Sequence, residues 1–161
     1  MNKIWIGIDP GISKSKPGGI AMINGHPWPQ TQRMPLQRSA IREWLFSWTT
    51  GREDRIFVTI EKQQGRPNMK GVNALMTHYG FLLGLLEAWR LRHEEVNPID
   101  WQRVMLRSMP KTDRAGRKKQ ALERAEQLFR LGKITDGEAD ALLIAEYGRR
   151  IRRKDDGEND R

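Results

Sequence analysis

The sequence contains no cysteine and no apolar run long enough to cross a membrane. The absence of cysteine excludes disulfide frameworks, thiolate zinc sites and cysteine nucleophiles, and it is typical of a reducing compartment. The longest apolar stretch, residues 81–86, is far shorter than the roughly 20 residues of a spanning helix, and residues 4–8 are too few for the apolar core of a signal peptide. We therefore expect a cytoplasmic protein with no membrane partner.

Acidic residues are fewer than basic ones, with 20 Asp and Glu against 29 Lys and Arg, which gives a formal net charge of +9. The excess is clustered: residues 102–124 hold eight basic and two acidic side chains, and residues 149–154 hold five more basic ones. Clustered positive charge is typical of proteins that bind the phosphate backbone of nucleic acids. For either cluster alone, a solvated helix face is the alternative.

The chain is long enough for one folded domain, since 161 residues that are 37% hydrophobic can bury a core. Periodicity and turn residues predict strands at residues 3–8, 18–23, 31–34, 56–60 and 94–96, and helices at residues 35–48, 68–91, 98–106, 113–131 and 135–150. The first two strands are predicted to be antiparallel neighbours, with the third at the sheet edge. We expect one domain over residues 1–150 and a charged, disordered tail over residues 151–161.

Three carboxylates occupy positions that favour chemistry over solvation. Asp9 and Glu61 each follow a β-prone run and are predicted to close it, at the edge of the sheet where ligands collect. Asp140 shares a helix face with Ile144 and Tyr147, which otherwise looks buried. An ionised carboxylate there costs several kcal/mol unless a cation compensates it. Oxygen donors without cysteine favour Mg²⁺ or Mn²⁺ over zinc.

Two further acids near Asp140 have competing interpretations. Asp136 lies one helical turn before Asp140 on the same face, where it is either a metal ligand or an acid favoured by the helix dipole. Glu138 forms a T-x-x-E pattern with Thr135, which is typical of a capping box and favours a helix cap over a ligand. Either acid can complete a set of four.

Carboxylates beside a basic surface suggest two-metal phosphodiester hydrolysis, in which one ion lowers the pKa of the attacking water and the other stabilises the leaving 3′ oxygen. Lys118 begins the apolar stripe of its helix, so we expect its ammonium to neutralise transition-state charge on the phosphate. A solvated lysine of the first helical turn is the alternative.

Three segments of the sequence resemble a known family. I-G-I-D-P-G at residues 6–11, T-I-E at residues 59–61 and E-A-D-A-L-L-I-A at residues 138–145 resemble the signature segments of the RuvC family of Holliday junction resolvases, in the compact form carried by bacteriophages. The resemblance implies an α/β, RNase H-like fold with a mixed five-stranded sheet flanked by helices. It also implies a homodimer in the cytoplasm of a bacterial cell or a phage-infected host, where it cuts four-way DNA junctions by paired symmetric nicks that leave 5′-phosphate and 3′-hydroxyl ends.

Carried over position by position, the resemblance gives a set of site residues. Asp9, Glu61 and Asp140 match the metal-binding acids, and Lys118 matches a basic residue near the scissile phosphate. The family's fourth ligand falls on Gly137, so Asp136 or Glu138 must substitute, or the site has three acids. With Asp136 as our choice, the predicted catalytic residues are Asp9, Glu61, Asp136, Asp140 and Lys118, and the four acids are predicted to bind Mg²⁺ or Mn²⁺, two ions per site.

DNA contacts are expected from basic residues around this site. The predicted DNA-binding residues are Arg66, Met69, Lys70, Arg107, Lys111, Arg114, Arg117, Lys118 and Lys119. An aromatic residue that some family members insert at the junction centre would fall near Gln64, and Met69 or Arg66 is our substitute for it. A second basic residue of the family would fall near Gln102.

Other functions remain open at this point. One is an RNase H-like nuclease acting on RNA/DNA hybrids or flaps, and another is a junction-binding protein without catalysis. An actin-like ATPase shares the first strand and turn, but it needs a second phosphate loop and a much longer chain. For the homodimer, the predicted helix at residues 68–91 is the candidate interface.

Overall fold

The computed structural model of the chain describes residues 3–15, 17–26, 28–65, 71–107 and 112–155. These residues form five strands and five α-helices, with a short 3-10 helix at Glu53–Arg55. The strands are β1 Ile4–Ile12, β2 Pro17–Ile23, β3 Gln30–Arg33, β4 Ile56–Glu61 and β5 Arg92–Val96, and the helices are α1 Arg38–Thr49, α2 Val72–Ala88, α3 Pro98–Met105, α4 Arg114–Leu128 and α5 Asp136–Asp155. Every predicted strand and helix has a counterpart.

The strands form one mixed sheet in the order β3-β2-β1-β4-β5. β1 pairs with β2 and β2 with β3 in antiparallel register, whereas β1–β4 and β4–β5 are parallel. The predicted antiparallel pair and the edge position of the third strand are therefore confirmed. Because β1 and β4 are parallel neighbours, with Ile8 opposite Ile60, both strands deliver the residues that follow to the same edge of the sheet.

The end of β1 differs from the prediction. The sequence predicts a strand that stops at Ile8 before a sharp turn, but β1 continues through Pro10 to Ile12, where it pairs with Pro17. The register shifts between Asp9 and Ile12, so the extra residues form a bulge. A bulge tolerates Pro10, which has no N–H for the ladder, and it turns neighbouring side chains out of the regular pleat.

Helices cover both faces of the sheet. On one face, α1 and α2 pack against Ile6, Ile8 and Ile60 through Ile41, Leu45 and Leu82, all fully buried, as part of one core cluster. On the other face, α5 approaches the sheet backbone closely. A Cβ on Gly7 would lie 2.0 Å from the carbonyl oxygen of Ala141 and 2.4 Å from the nitrogen of Ala145. The absence of a side chain at Gly7 thus sets the distance between β1 and α5.

The C-terminal ends of three helices differ from the prediction by three residues or more, and α1 begins at Arg38, after the predicted residue 35. α2 ends at Ala88, before the predicted residue 91, because Arg90 adopts a positive φ of 53°. α4 ends at Leu128 because Phe129 is extended. α5 runs on to Asp155, past the predicted end at residue 150, and Arg152 holds it by stacking 4.1 Å from the Phe57 ring centre.

No helix within the described ranges combines the length and the apolar character that crossing a bilayer requires.

Candidate active site

Three carboxylates from three elements line one cleft of about 610 Å³ at the edge where β1 and β4 end. Asp9 lies at the bulge of β1, Glu61 is the last residue of β4, and Asp140 lies on the second turn of α5. The parallel pairing of β1 and β4 places Asp9 and Glu61 side by side. The close packing of α5 on the sheet brings Asp140 to the same cleft. Their predicted roles in metal binding and catalysis remain predictions.

Proximity and burial change the acidity of these carboxyls. Burial and the charge of Glu61 raise the pKa of Asp9 to about 7, although a hydrogen bond from the Gly11 N–H and the charge of Lys118 oppose the shift. Burial, then Asp9 and Glu61, raise the pKa of Asp140 well above its usual range. Burial also raises the pKa of Glu61. The three groups therefore repel one another when ionised, and a bound cation would relieve that repulsion.

Glu61 is held by two donors. The indole Nε1–H of Trp101 donates to Glu61 Oε2 at 2.7 Å, and the Gln63 side-chain amide donates to Oε1 at 3.3 Å. Neither donor is identifiable from the sequence as a neighbour of Glu61, and Trp101 lies 40 positions away. The only signal in the sequence is general: a buried tryptophan usually finds an acceptor for its N–H.

Lys118 and Asp136 form an ion pair beside the cleft, with 3.1 Å between Nζ and Oδ2. Lys118 lines the cleft, and its charge lowers the pKa values of both Asp9 and Asp140. Asp136 is not among the residues that line the cleft. In this structure Asp136 is therefore paired with Lys118, and its role as a fourth metal ligand remains a prediction.

Glu138 caps α5, as the T-x-x-E pattern indicates. Its Oε2 accepts hydrogen bonds from the Thr135 backbone N–H at 2.9 Å and from the Thr135 hydroxyl at 2.8 Å. The Glu138 N–H in turn donates to the Thr135 hydroxyl at 3.3 Å. Its other carboxylate oxygen accepts from the Thr31 hydroxyl on β3 at 3.0 Å. One oxygen therefore caps α5, and the other joins α5 to the sheet.

The resemblance places the family's fourth ligand on Gly137, and the packing around Gly137 leaves no room for a side chain. A Cβ on Gly137 would lie 2.3 Å from the carbonyl oxygen of Pro17 and 2.8 Å from the Cα of Gly18. The first turn of α5 therefore rests directly on the β2 backbone, which leaves no space for a carboxylate.

Gly137→Ala is expected to destabilise the protein by about 1–3 kcal/mol, because an added methyl group meets backbone atoms that cannot rotate away. For a chain of this size this corresponds to a fall in Tm of roughly 2–12 °C, measured by thermal unfolding. Gly132→Ala is the matched control, since a Cβ at Gly132 meets nothing within 4 Å. Equal Tm values for the two variants would contradict the close contact.

The donor set suits a hard divalent cation, because the cleft offers carboxylate oxygens from Asp9, Glu61 and Asp140. In the described part of the chain, no three acidic or histidine side chains stand close enough to form a complete site for one ion. Mg²⁺ commonly binds one or two carboxylates and completes its shell with water and substrate phosphate oxygens. These three residues fit that mode of binding.

Basic side chains extend from the cleft along α4. Arg117 lines the cleft with Lys118. Lys119 on α4 is exposed and lies 3.8 Å from Glu123, and Arg107, which follows α3, is also exposed. Gln102, near which the resemblance places a second basic residue of the family, lines the cleft as a neutral amide. Of the other predicted DNA contacts, Arg66, Met69, Lys70, Lys111 and the side chain of Arg114 lie outside the described residues.

Two solved structures of RuvC from Thermus thermophilus share this architecture. One is RuvC in complex with a Holliday junction substrate: it superimposes with a TM-score of 0.66 at 15% sequence identity, covering 95% of this chain and 96% of its own. The other superimposes with a TM-score of 0.61 at 16% identity, covering 92% of this chain and 96% of its own. No protein-family model and no curated protein matches the sequence. The chain therefore has the RNase H-like fold of RuvC, as its signature segments led us to expect.

Proposed function

We propose that the protein is a divalent-metal-dependent endonuclease that resolves four-way DNA junctions by paired symmetric nicks, leaving 5′-phosphate and 3′-hydroxyl ends. The observation that carries the proposal is the meeting of Asp9, Glu61 and Asp140 in one cleft, next to the basic helix α4. A chain with this fold, the T. thermophilus RuvC, is known in complex with a Holliday junction substrate. Acid cluster, basic rim and fold thus support the same activity.

In this proposal the chain's own residues bind and orient the DNA strand. Arg117 contacts a backbone phosphate at the rim, and Lys118 places its ammonium against the scissile phosphate, where negative charge increases in the transition state. Asp136 keeps the Lys118 ammonium at the cleft until a phosphate oxygen competes for it. Asp9, Glu61 and Asp140 would hold the divalent ions, which supply an activated water and stabilise the leaving 3′ oxygen.

Paired nicks require two such clefts on one junction, and each chain has one set of the three acids. We therefore propose a homodimer in which α2 forms the interface. Two observations support this helix. Gly80 and Gly84 lie on its outer face, where a Cβ on either would meet nothing within 4 Å. Beside it, Phe46 is 55% exposed and packs edge-on against Trp89. A partner helix that covers this surface would bury the exposed aromatic ring.

The test is cleavage of an end-labelled synthetic four-way junction with Mg²⁺ or Mn²⁺, run beside a linear duplex, a flap and an RNA/DNA hybrid. We expect nicks at symmetric positions in opposite strands of the junction, and a dimer by sedimentation at the protein concentration used. Preference for the hybrid or the flap would instead support an RNase H-like nuclease. Tight junction binding without cleavage in either metal would support a non-catalytic junction-binding protein.

Lys118→Ala is expected to slow junction cleavage by about 100-fold while weakening junction binding far less, because its charge acts on the transition state. Single-turnover cleavage and gel-shift titration measure the two effects separately. Lys119→Ala is the matched comparison: it removes the adjacent lysine, which is exposed and lies near Glu123, and as a predicted backbone contact it is expected to weaken binding slightly and to leave the cleavage step unchanged. Equal loss of binding and cleavage in Lys118→Ala would assign Lys118 to binding alone.

A further inference from the structure

Trp101 combines two properties that are unusual in one side chain. It is among the largest fully buried side chains, with 1% of its surface exposed, and it also lines the cleft. Its indole nitrogen donates the hydrogen bond to Glu61 Oε2. Trp101 belongs to the same core cluster as Ala141 and Ala145, the residues of α5 that pack on β1. Its ring is therefore fixed by the packing that also fixes α5.

A donor of this kind constrains a carboxylate more than water or a hydroxyl would. The indole N–H has one hydrogen in the plane of the ring, it cannot rotate, and it cannot act as an acceptor. Glu61 has three side-chain torsions and ends a strand, and its other side-chain hydrogen bond among the described residues, from the partly buried Gln63, is longer at 3.3 Å. Trp101 also opposes the rise in the pKa of Glu61 that burial causes.

We propose that Trp101 is a positioning residue of the active site: its Nε1–H holds Glu61 Oε2 and so directs the remaining lone pairs of Glu61 towards Asp9 and Asp140. The inference rests on the proposed metal-dependent function. Hydrogen-bond partners that orient metal-binding groups affect metal affinity or activity by about 10- to 100-fold when they are removed. We expect an effect of this size from loss of the indole N–H alone.

The decisive variant replaces Trp101 with benzothienylalanine, in which sulfur takes the place of the N–H and the ring keeps its shape. Trp101→Phe is the genetically encoded version. The control is Trp5→Phe, which changes a tryptophan of the same core cluster that is 5% exposed and is not among the residues that line the cleft. We measure the Mn²⁺ dissociation constant by calorimetry without DNA. It is expected to rise about 10-fold or more in the variants at position 101 and to stay unchanged in Trp5→Phe.

A second measurement separates positioning from packing. In a Glu61→Gln background, loss of the Trp101 N–H is expected to leave the remaining Mn²⁺ affinity unchanged, because the group that Trp101 orients is no longer a charged ligand. An equal loss of Mn²⁺ affinity in the wild-type and Glu61→Gln backgrounds would mean that Trp101 acts through packing. Unchanged Mn²⁺ affinity in the wild-type background would also overturn the proposal. Junction cleavage by wild type is scored separately, so failure of the proposed nuclease function is distinguishable from failure of the Trp101 role.

Discussion

Replacing Asp9 with Asn is expected to slow nicking of a four-way junction by about 100- to 1,000-fold and to leave junction affinity nearly unchanged. The carboxylate belongs to the acid cluster, where its charge raises the pKa of Asp140 and the charge of Glu61 raises its own pKa. Its removal takes away a donor for the proposed catalytic ions, and losses of 10²–10³-fold are typical when a single transition-state stabiliser is removed. The basic residues on α4 that we propose bind the DNA backbone remain in place. Single-turnover cleavage and gel-shift titration measure the two quantities.

The control for this substitution is Asp54→Asn, which makes the same chemical change at an exposed residue of the 3-10 helix. It is expected to cleave at the wild-type rate. Asp140→Asn is expected to match Asp9→Asn, since both carboxylates line the same cleft. Residual cleavage by Asp9→Asn within a few fold of wild type would refute the assignment of this cleft as the nuclease site.

The stability of the metal-free protein is expected to fall as the pH rises from about 4 to about 7. The folded-state pKa of Asp9 is about 7, above its ordinary value of 3.8, so between these values the folded state holds a proton that the unfolded state has lost. The stabilising effect of that proton is complete below the unfolded pKa and disappears as the pH rises through the folded pKa. The raised pKa values of Glu61 and Asp140 act in the same direction.

Asp9→Asn removes this penalty, so at pH 8 without metal the variant is expected to be more stable than wild type. The full shift corresponds to about 4 kcal/mol at 1.36 kcal/mol per pKa unit; because the carboxyl faces the cleft and is only partly buried, we expect on the order of 2 kcal/mol, or roughly 4–8 °C in Tm. Thermal unfolding of wild type and Asp9→Asn with EDTA at pH 4 and pH 8 measures this difference in stability, with Asp54→Asn as the control. A wild-type Tm that is flat across this range would contradict the charge repulsion in the cleft.

Part of the fold was predictable because the central strands β1 and β4 contain short runs rich in β-branched residues. Ile56–Glu61 is one such run, and its last residue lies where the pattern placed it. The continuation of β1 was not predictable, since Asp-Pro-Gly usually ends a strand and only pairing with β2 converts it into a bulge. The ends of α2 and α4 depend on the backbone conformations of Arg90 and Phe129, which local propensity does not determine.

The cleft was predictable only in part, for a related reason. Asp9 and Glu61 follow from parallel strands that end at one edge, and Asp140 follows from a charge on an apolar helix face. The contacts that orient these acids join residues far apart in sequence: Trp101 reaches Glu61, and Lys118 reaches Asp136. Such contacts depend on how whole helices and strands pack together. The sequence pattern within one helix or strand therefore does not predict them.

The contact between Gly137 and the β2 backbone restricts how this site can change through mutation. A codon change at position 137 that introduces a carboxylate first puts a Cβ 2.3 Å from the Pro17 oxygen, so the intermediate is destabilised before any new ligand is useful. A lineage can acquire a fourth acid there only after other substitutions move α5 away from β2. Movement of α5 would in turn disturb the contacts of Ala141 and Ala145 with Gly7. The number of acids and the depth of helix packing should therefore change together among relatives of this chain.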